Sequence, residues 1–310
     1  MTSTMITAAA AGTWKLGDRT VNRLGFGTMR LPQHGEALIP DAVPRDRDQA
    51  IAVLRRAVEL GVNHLDTAAF YFSPLSSANE LINRALAPYP DDLVIVTKVG
   101  PGRDPSGDWL PHATPGQLRG QVEENLRQLG RDHLDVVNLR IVGADSIAER
   151  FGALAELRDA GLVRHLGLSN IRPHQLAEAQ AIAPVVCVQN MYGIGASAEQ
   201  EEMLRICGER GIAFVPFYSI AGSGRTAGAP VHALADGSTD GLPDGDGAVE
   251  AVARARGVSA AQVRLAWTLQ RGPHVLAIPG TGDLGHLAQN VAAGALRLSA
   301  EELAGLGSSA

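Results

Sequence analysis

Residues 93–99 read Leu-Val-Ile-Val-Thr-Lys-Val. A nearly all-apolar run of this length is what a strand buried on both faces looks like, and such strands belong to parallel sheets covered by helices. The flanking sequence repeats the theme. Upstream, a strand over Leu24–Met29 leads to a helix over Asp46–Leu60, with Ile51, Leu54 and Val58 on one face and Gly61 as its stop. A strand over Val62–Thr67 then leads to a short helix over Asn79–Leu86. Downstream, Thr114-Pro115-Gly116-Gln117 forms a capping box with proline in the first helical position, and opens a helix striped by Leu118, Val122, Leu126 and Leu129. Strands follow over Leu134–Ile141, His165–Ser169, Val185–Gln189, Ala213–Tyr218 and Val275–Pro279, with helical stretches after them. Counted from Leu24, this gives about eight strand–helix units at a repeat of roughly 30–40 residues, the size of βα units and the arithmetic of a (β/α)8 barrel. A doubly wound sheet alternates too, but its GxGxxG fingerprint is missing, because Gly25-Phe26-Gly27 has no third glycine in place. The expected fold is therefore α/β, a (β/α)8 TIM barrel in a single domain over residues 13–310. A small N-terminal β-hairpin over Thr13–Val21, turning at Gly17-Asp18, precedes the first unit, and residues 1–12 are expected to fray.

Composition narrows the function. The 310 residues are 45% hydrophobic and 19% charged, with a formal net charge of −6. That balance is ordinary for a globular protein and lacks the basic surplus of a nucleic-acid binder. The two cysteines, Cys187 and Cys207, form no CxxC and suggest neither zinc nor a disulfide framework. No stretch approaches the ~20 apolar residues of a membrane span, and the N-terminus lacks the basic region of a signal peptide. The reading is a cytoplasmic protein acting on a small molecule, with no nucleic-acid or membrane partner; the sequence leaves the oligomeric state open.

In a barrel, polar residues at the C-terminal ends of strands are the catalytic candidates. Here those ends carry Asp66 and Thr67, Thr97 and Lys98, Asn138 and Arg140, Ser169 and Asn170, and Gln189 and Asn190, with Tyr71 five residues beyond Asp66. A buried ammonium at Lys98 needs a partner, and Asp66 on the neighbouring strand is the natural one. A cation beside a phenol stabilises phenolate, so a carboxylate, an ammonium and a phenol converging on one mouth suggest acid–base work by Tyr71. Each residue also has a plainer reading alone: a helix cap for Asp66, a surface charge for Lys98, a loop anchor for Tyr71. Two long irregular segments, Gly100–Ala113 with Trp109 and Ala221–Gly247, follow strands and would lie on the same face.

The segments Asn63–Tyr71 (NHLDTAAFY), Val96–Gly100 (VTKVG), Leu166–Asn170 (LGLSN) and Val188–Asn190 (VQN) resemble, in order, those of the aldo-keto reductases. The likeness runs from Leu24 to Asn290. It implies a (β/α)8 barrel that binds a nicotinamide cofactor across its mouth without a Rossmann domain. By position, it implies Tyr71 as proton donor to a substrate carbonyl, tuned by Asp66 and Lys98. It places Ser169, Asn170 and Gln189 on the nicotinamide carboxamide, and Gly27, Thr28 and Met29 beside the nicotinamide ribose. Within Pro216–Ile220, Phe217 aligns with the ring that stacks on nicotinamide, or Tyr218 if the register slips by one; Ser219 and Ile220 continue that segment. Gly222 would approach the pyrophosphate.

Two departures from the family pattern stand out. The usual catalytic His five residues after the Asp of an LD pair is replaced: Leu134-Asp135 is followed by Arg140. A permanently charged fork of donors could polarise the carbonyl, bind an anionic group of the substrate, or serve as an ion-pair partner. At the adenine end the pattern IPKS, then Arg, then EN becomes Ile278-Pro279-Gly280-Thr281, then His286, then Gln289-Asn290. The two cations that neutralise the 2′-phosphate of NADP are thus gone. Thr281, the following helix N-terminus and a protonated His286 could still hold phosphate. NADPH is the expected cofactor, NADH a second one, with a smaller preference than is usual.

The segment LDVVNLR also resembles a subgroup that includes bacterial pyridoxal reductases, which implies reduction of pyridoxal to pyridoxine. The alternatives are a reductase of a sugar or natural-product ketone, or a non-catalytic nicotinamide-binding regulatory subunit. Phe72, Trp109 and Met29 are candidate apolar walls of the substrate pocket, with Arg140 beside them. The sequence offers neither HExxH nor a His/Asp cluster at the strand ends, so no metal is expected.

Overall fold

A computed structural model describes residues 5–143, 146–220 and 246–307. Strands β1 (Thr13–Leu16) and β2 (Arg19–Asn22) pair antiparallel, Leu16 opposite Arg19, around Gly17-Asp18. After β3 (Phe26–Gly27) comes a second small antiparallel pair, β4 (Gln33–His34) and β5 (Val43–Pro44). The main sheet adds β6 (His64–Asp66), β7 (Val94–Val99), β8 (Leu134–Arg140), β9 (Val163–Ser169), β10 (Val185–Gln189) and β11 (Ala213–Phe214) to β3. Its seven strands are parallel and run β11-β10-β9-β8-β7-β6-β3, so chain order is spatial order. Helices α1 (Arg47–Glu59), α2 (Ala78–Leu86), α3 (Pro115–Leu129), α4 (Ala148–Asp159), α5 (Pro173–Gln180) and α6 (Ala198–Glu209) fill the crossovers. Helices α7 (Asp246–Arg256), α8 (Ala260–Leu269), α9 (Leu284–Ala292) and α10 (Ala300–Gly307) complete the described chain.

The two edges of the sheet do not stay open. Leu276 N–H donates to Phe214 O (2.9 Å) on one side. Ala277 N–H donates to Arg23 O (2.8 Å), and Gly25 N–H to Ala277 O (2.8 Å), on the other. Residues 274–279 thus bridge β11 and β3, curling the sheet onto itself. The expected strands over Ala213–Tyr218 and Val275–Pro279 are shorter than the sequence suggests. Pro216 and Pro279 have no N–H to give the ladder; pairing resumes past the first, where Phe217 N–H donates to Asn190 O (3.0 Å).

Period-two alternation separates two apolar layers. One face packs on the helices in the main core. The other encloses Val94, Val96, Val136, Cys187, Ala213, Val215 and Leu276, capped from below by Leu16 and Val21 of the β1–β2 pair. Residues 8–11 are not frayed: they form a 3-10 turn with Ala8 and Ala11 buried, and Ala8 N–H donates to Leu60 O (2.8 Å). Alanine side chains are small enough for this backbone to seat directly against the end of α1. Among the described residues no helix is long and apolar enough to cross a membrane, and no group of His, Cys, Asp or Glu is placed to hold a metal.

Candidate active site

Inside the sheet, each column of side chains starts apolar and ends polar. The inward run of β7 is Val94, Val96, Lys98; that of β8 is Val136, Asn138, Arg140; β10 contributes Cys187 then Gln189; β6 contributes His64 then Asp66. Register aligns these ends: Lys98 pairs with Asn138, Asn138 with Gly167, Gly167 with Cys187, while Arg140 and Gln189 both pair with Ser169. The strands therefore deliver a polar layer at one end of an otherwise apolar interior.

That layer is a connected network. Lys98 Nζ donates to Asp66 Oδ1 (2.7 Å) and to Thr67 O (3.0 Å). Gln189 Nε2 donates to Asp66 Oδ2 (3.0 Å), Asn138 Nδ2 to Gln189 Oε1 (3.3 Å), and the Cys187 thiol to Asn138 Oδ1 (3.1 Å). Lys98 is 2% exposed and Asp66 4%, so the pair is compensated in a region that would not tolerate either charge alone. Burial opposes the Lys98 charge, yet Asp66 and the facing Tyr71 outweigh it and hold the ammonium above its ordinary range. The Lys98 ammonium lies 5.0 Å from the centroid of the Tyr71 ring. Gly167 makes room for this network: a Cβ there would stand 2.0 Å from Asn138 Oδ1 and 2.5 Å from Cys187 Sγ. Below Asp66, His64 is wholly buried with neither ring nitrogen bonded. Burial pushes its pKa down to about 4, with Asp66 opposing and Lys98 assisting, so the ring is neutral.

Above the layer opens a cavity of about 760 Å³, in the range of small-molecule sites. Asp66, Tyr71, Lys98, Arg140 and Gln189 reach its wall, as do Met29 and Trp109. Phe217 and Tyr218 stand edge to face at 5.1 Å, both on the cavity, and the Arg140 guanidinium lies 5.3 Å from the Phe217 centroid. Burial pushes the Tyr218 phenol up, against the pull of Arg140. Arg140 Nη1 donates to Ser169 Oγ (3.4 Å), and its own carbonyl accepts from His112 Nε2 (2.7 Å). The wall runs on through Ser219 and Ile220 to Gly27, Gly280, Thr281 and Gly282 at the far end.

Several expected residues stand back from this wall. Thr28 is fully buried, its hydroxyl and N–H both donating to Asp66 O (3.0 and 2.9 Å), so it props the strand end. Ser169 is fully buried beneath Arg140. Asn170, at φ 61, donates through Nδ2 to Ile141 O (3.0 Å). Phe72 turns to the Arg103 guanidinium, 4.5 Å from its centroid, and its neighbour Phe70 faces the cavity instead. His286 and Gln289 are exposed on α9, Asn290 is buried, and none of the three lines the cavity. Gly222 lies outside the described residues. The structure adds residues that sequence reading passed over: Arg30, Glu36, Leu38 and Phe70 near the mouth, and Arg45 at the far end. Only Phe70 had a signal, lying inside the NHLDTAAFY segment.

The cavity suits a dinucleotide by its donor set. Aromatic rings and the Gln189 amide stand at one end, and a hydroxyl, a guanidinium and bare glycine backbone at the other. Comparison with known proteins agrees. The sequence profile of the Aldo/keto reductase family matches residues 23–309. The chain is 43% identical over 304 residues to pyridoxine 4-dehydrogenase of Escherichia coli, covering 96% of this chain and 98% of that one. An aldo-keto reductase of Klebsiella pneumoniae crystallised with NADPH superposes with a TM-score of 0.73 at 27% identity, covering 95% and 93% of the two chains. A Klebsiella pneumoniae structure with NADP and acetate gives a TM-score of 0.72 at 27% identity, with the same coverage.

Proposed function

The chain belongs to the aldo/keto reductase family and is a nicotinamide-dependent oxidoreductase of carbonyl groups; on that premise we propose that it reduces the aldehyde of pyridoxal with NADPH, Tyr71 delivering the proton. We read the seam at residues 274–279 as the closure of the family's (β/α)8 barrel. The observation that carries the chemistry is the buried Asp66–Lys98 pair facing the Tyr71 ring on the cavity wall.

A bound reduced nicotinamide supplies a hydride to the carbonyl carbon. Tyr71 gives its phenolic proton to the carbonyl oxygen. The phenolate left behind faces the Lys98 ammonium, whose charge Asp66 retains. Gln189, already bonded to Asp66, presents the edge of its amide to the cavity. Arg140 takes the place of the family's usual His and supplies a permanent positive charge near the reacting oxygen or an anionic substituent of the substrate. Phe217 or Tyr218 would stack on a bound nicotinamide ring, and Gly27, Met29, Ser219, Ile220, Gly280 and Thr281, all on the cavity wall, would line the rest of the dinucleotide's path. Ser169, Asn170 and Thr28 hold the strand ends that position it. Likeness to pyridoxine 4-dehydrogenase supports pyridoxal as the substrate. The aromatic wall of Phe70 and Trp109, 5.7 Å apart, with Arg140 on the same cavity, suits a flat ring bearing an anionic oxygen.

The test is purified protein with pyridoxal and NADPH, then NADH, followed by cofactor absorbance. Rapid oxidation of NADPH, with NADH used less well, is expected. An inert pyridoxal beside turnover of other aldehydes would remove the substrate. A NADPH-to-NADH ratio of kcat/KM beyond ~10³, about 4 kcal/mol, would contradict the expected modest preference.

A further inference from the structure

We propose that Arg45 reads the 2′-phosphate of NADPH, supplying from the turn before α1 the cation that residues 278–290 do not carry apart from His286. The proposal rests on the cofactor reading above and extends it to a residue far away in sequence.

Arg45 follows β5 and precedes Asp46, the N-cap of α1. The fold brings its guanidinium over the Gly280–Gly282 turn, and all four residues line the cavity. The approach is close: a Cβ at Gly282 would stand 2.1 Å from Arg45 Cζ and 2.3 Å from Nε, so any side chain there would displace the guanidinium. Three backbone carbonyls hold the guanidinium: Nε donates to Arg30 O (3.4 Å), Nη1 to Gly282 O (3.4 Å) and Nη2 to Gln33 O (3.3 Å). Gln49 Nε2 secures the same turn through Gly282 O (3.1 Å). These long bonds engage three of the five guanidinium N–H groups, and among the described residues no carboxylate lies within ion-pair distance of Arg45, Asp283 acting on it from farther off. The guanidinium is therefore held by backbone carbonyls, with Asp283 attracting its charge and Arg30 opposing it, and it keeps donors for an anion.

Two neighbours shape what that anion is. Thr281 Oγ1 accepts from Asp283 N (3.1 Å), which leaves its O–H to donate. Asp283 caps α9, its Oδ1 accepting from His286 N (2.8 Å), and adds a negative charge beside the turn. A ribose 2′-phosphate gains from Arg45 and Thr281 and is opposed by Asp283; a ribose 2′-hydroxyl is indifferent to the cation and tolerates the carboxylate. On this reading the opposition keeps the expected preference for NADPH modest.

Affinities for NADPH and NADH, read by quenching of tryptophan fluorescence, and displacement by 2′,5′-ADP or 5′-AMP test the proposal. Wild type should hold 2′,5′-ADP more tightly than 5′-AMP. Arg45→Gln should lower the NADPH-to-NADH affinity ratio by about 10- to 100-fold, the span of one charge-assisted hydrogen bond. Arg45→Lys should restore part of that ratio. Gly282→Ala, which keeps the arginine but evicts its guanidinium, should lower the ratio independently. Equal affinity of wild type for the two adenylates, an unchanged ratio in Arg45→Gln, or equal losses for both cofactors overturns the role of Arg45 while leaving the cofactor site intact. Failure of wild type to bind either cofactor overturns both readings.

Discussion

At one end of the cavity, Asp66, Lys98, Asn138, Cys187 and Gln189 sit on neighbouring parallel strands, buried and bonded in one network. At the other, Arg45 meets Gly282 across a separation of 237 residues, beside an exposed Asp283 and an exposed His286. The inner end is dry, so each charge there acts at low dielectric and must be matched. The outer end is wet, so its charges are screened and differ in small increments. The contrast separates the tasks. Under the proposed function, proton transfer falls where an ammonium and a carboxylate have full effect on a phenol. Under the proposed role of Arg45, discrimination between cofactors falls where several weak terms can be balanced.

The largest expected effect strikes the inner end alone. Tyr71→Phe removes the phenolic O–H and keeps the ring packed against Phe70, 5.1 Å away. Turnover of pyridoxal should fall by about 10²- to 10⁴-fold, the contribution of a positioned acid. NADPH affinity should stay as in wild type, because the outer contacts are untouched. Single-turnover kinetics beside a binding titration measures both. Retained turnover would reject the proton donor, and a matching loss of NADPH affinity would show that the two ends are not separable.

The same contrast governs what the sequence discloses. Asp66, Lys98 and Gln189 were legible because they end apolar strand runs, where period-two alternation and the parallel order dictate which way they point. Arg140 was legible by its spacing from Leu134-Asp135. Side chains off the strands were not. The bend after Asp66, closed by Tyr71 N–H to Ala68 O (3.0 Å), decides that Phe70 and not Phe72 meets the cavity, and alternation says nothing about a bend. Thr28 and Ser169 were placed beside the right strands, but their hydroxyls are spent on backbone and Arg140. Arg45 was invisible because its partner is fixed only when the last unit returns to the first. The 3-10 turn at Ala8–Ala11 was hidden for a different reason: an alanine run carries neither charge nor periodicity to announce that it is buried.

The acid stability of the fold reports how dry the inner end is. His64 takes a proton in the fold only near pH 4, well below its ordinary 6.5. The unfolded chain therefore protonates first. His64's contribution is fully present above pH ~6.5, is lost as pH falls towards 4, and at full extent is worth about 3 kcal/mol. In His64→Leu this part of the acid loss is absent. Chemical denaturation of both proteins between pH 7 and 4 should show the wild-type curve falling more steeply by about that amount. Parallel curves would mean that water reaches the ring and that the inner end is wetter than its packing indicates.

The smallest effect probes the link between Gln189 and Cys187. Asn138 stands between two buried partners, giving a hydrogen bond to Gln189 and taking one from Cys187. Its amide fixes which way the Gln189 amide faces, so that NH2 and not C=O meets the Asp66 carboxylate. Asn138→Leu leaves Gln189 Oε1 without its partner in a dry site and lets that amide turn. The stability cost should be about 1–3 kcal/mol, seen as a lower denaturation midpoint at unchanged slope. Turnover should fall by less than in Tyr71→Phe, because Lys98 still holds Asp66 at 2.7 Å. If stability is unaffected, water or a repacked Cys187 satisfies Gln189, and the inner end is a set of separate pairs. If turnover falls as far as in Tyr71→Phe, the orientation of Gln189 matters to the chemistry as much as the phenol does. Either outcome would redraw the boundary between the buried end proposed to do the chemistry and the open end proposed to choose the cofactor.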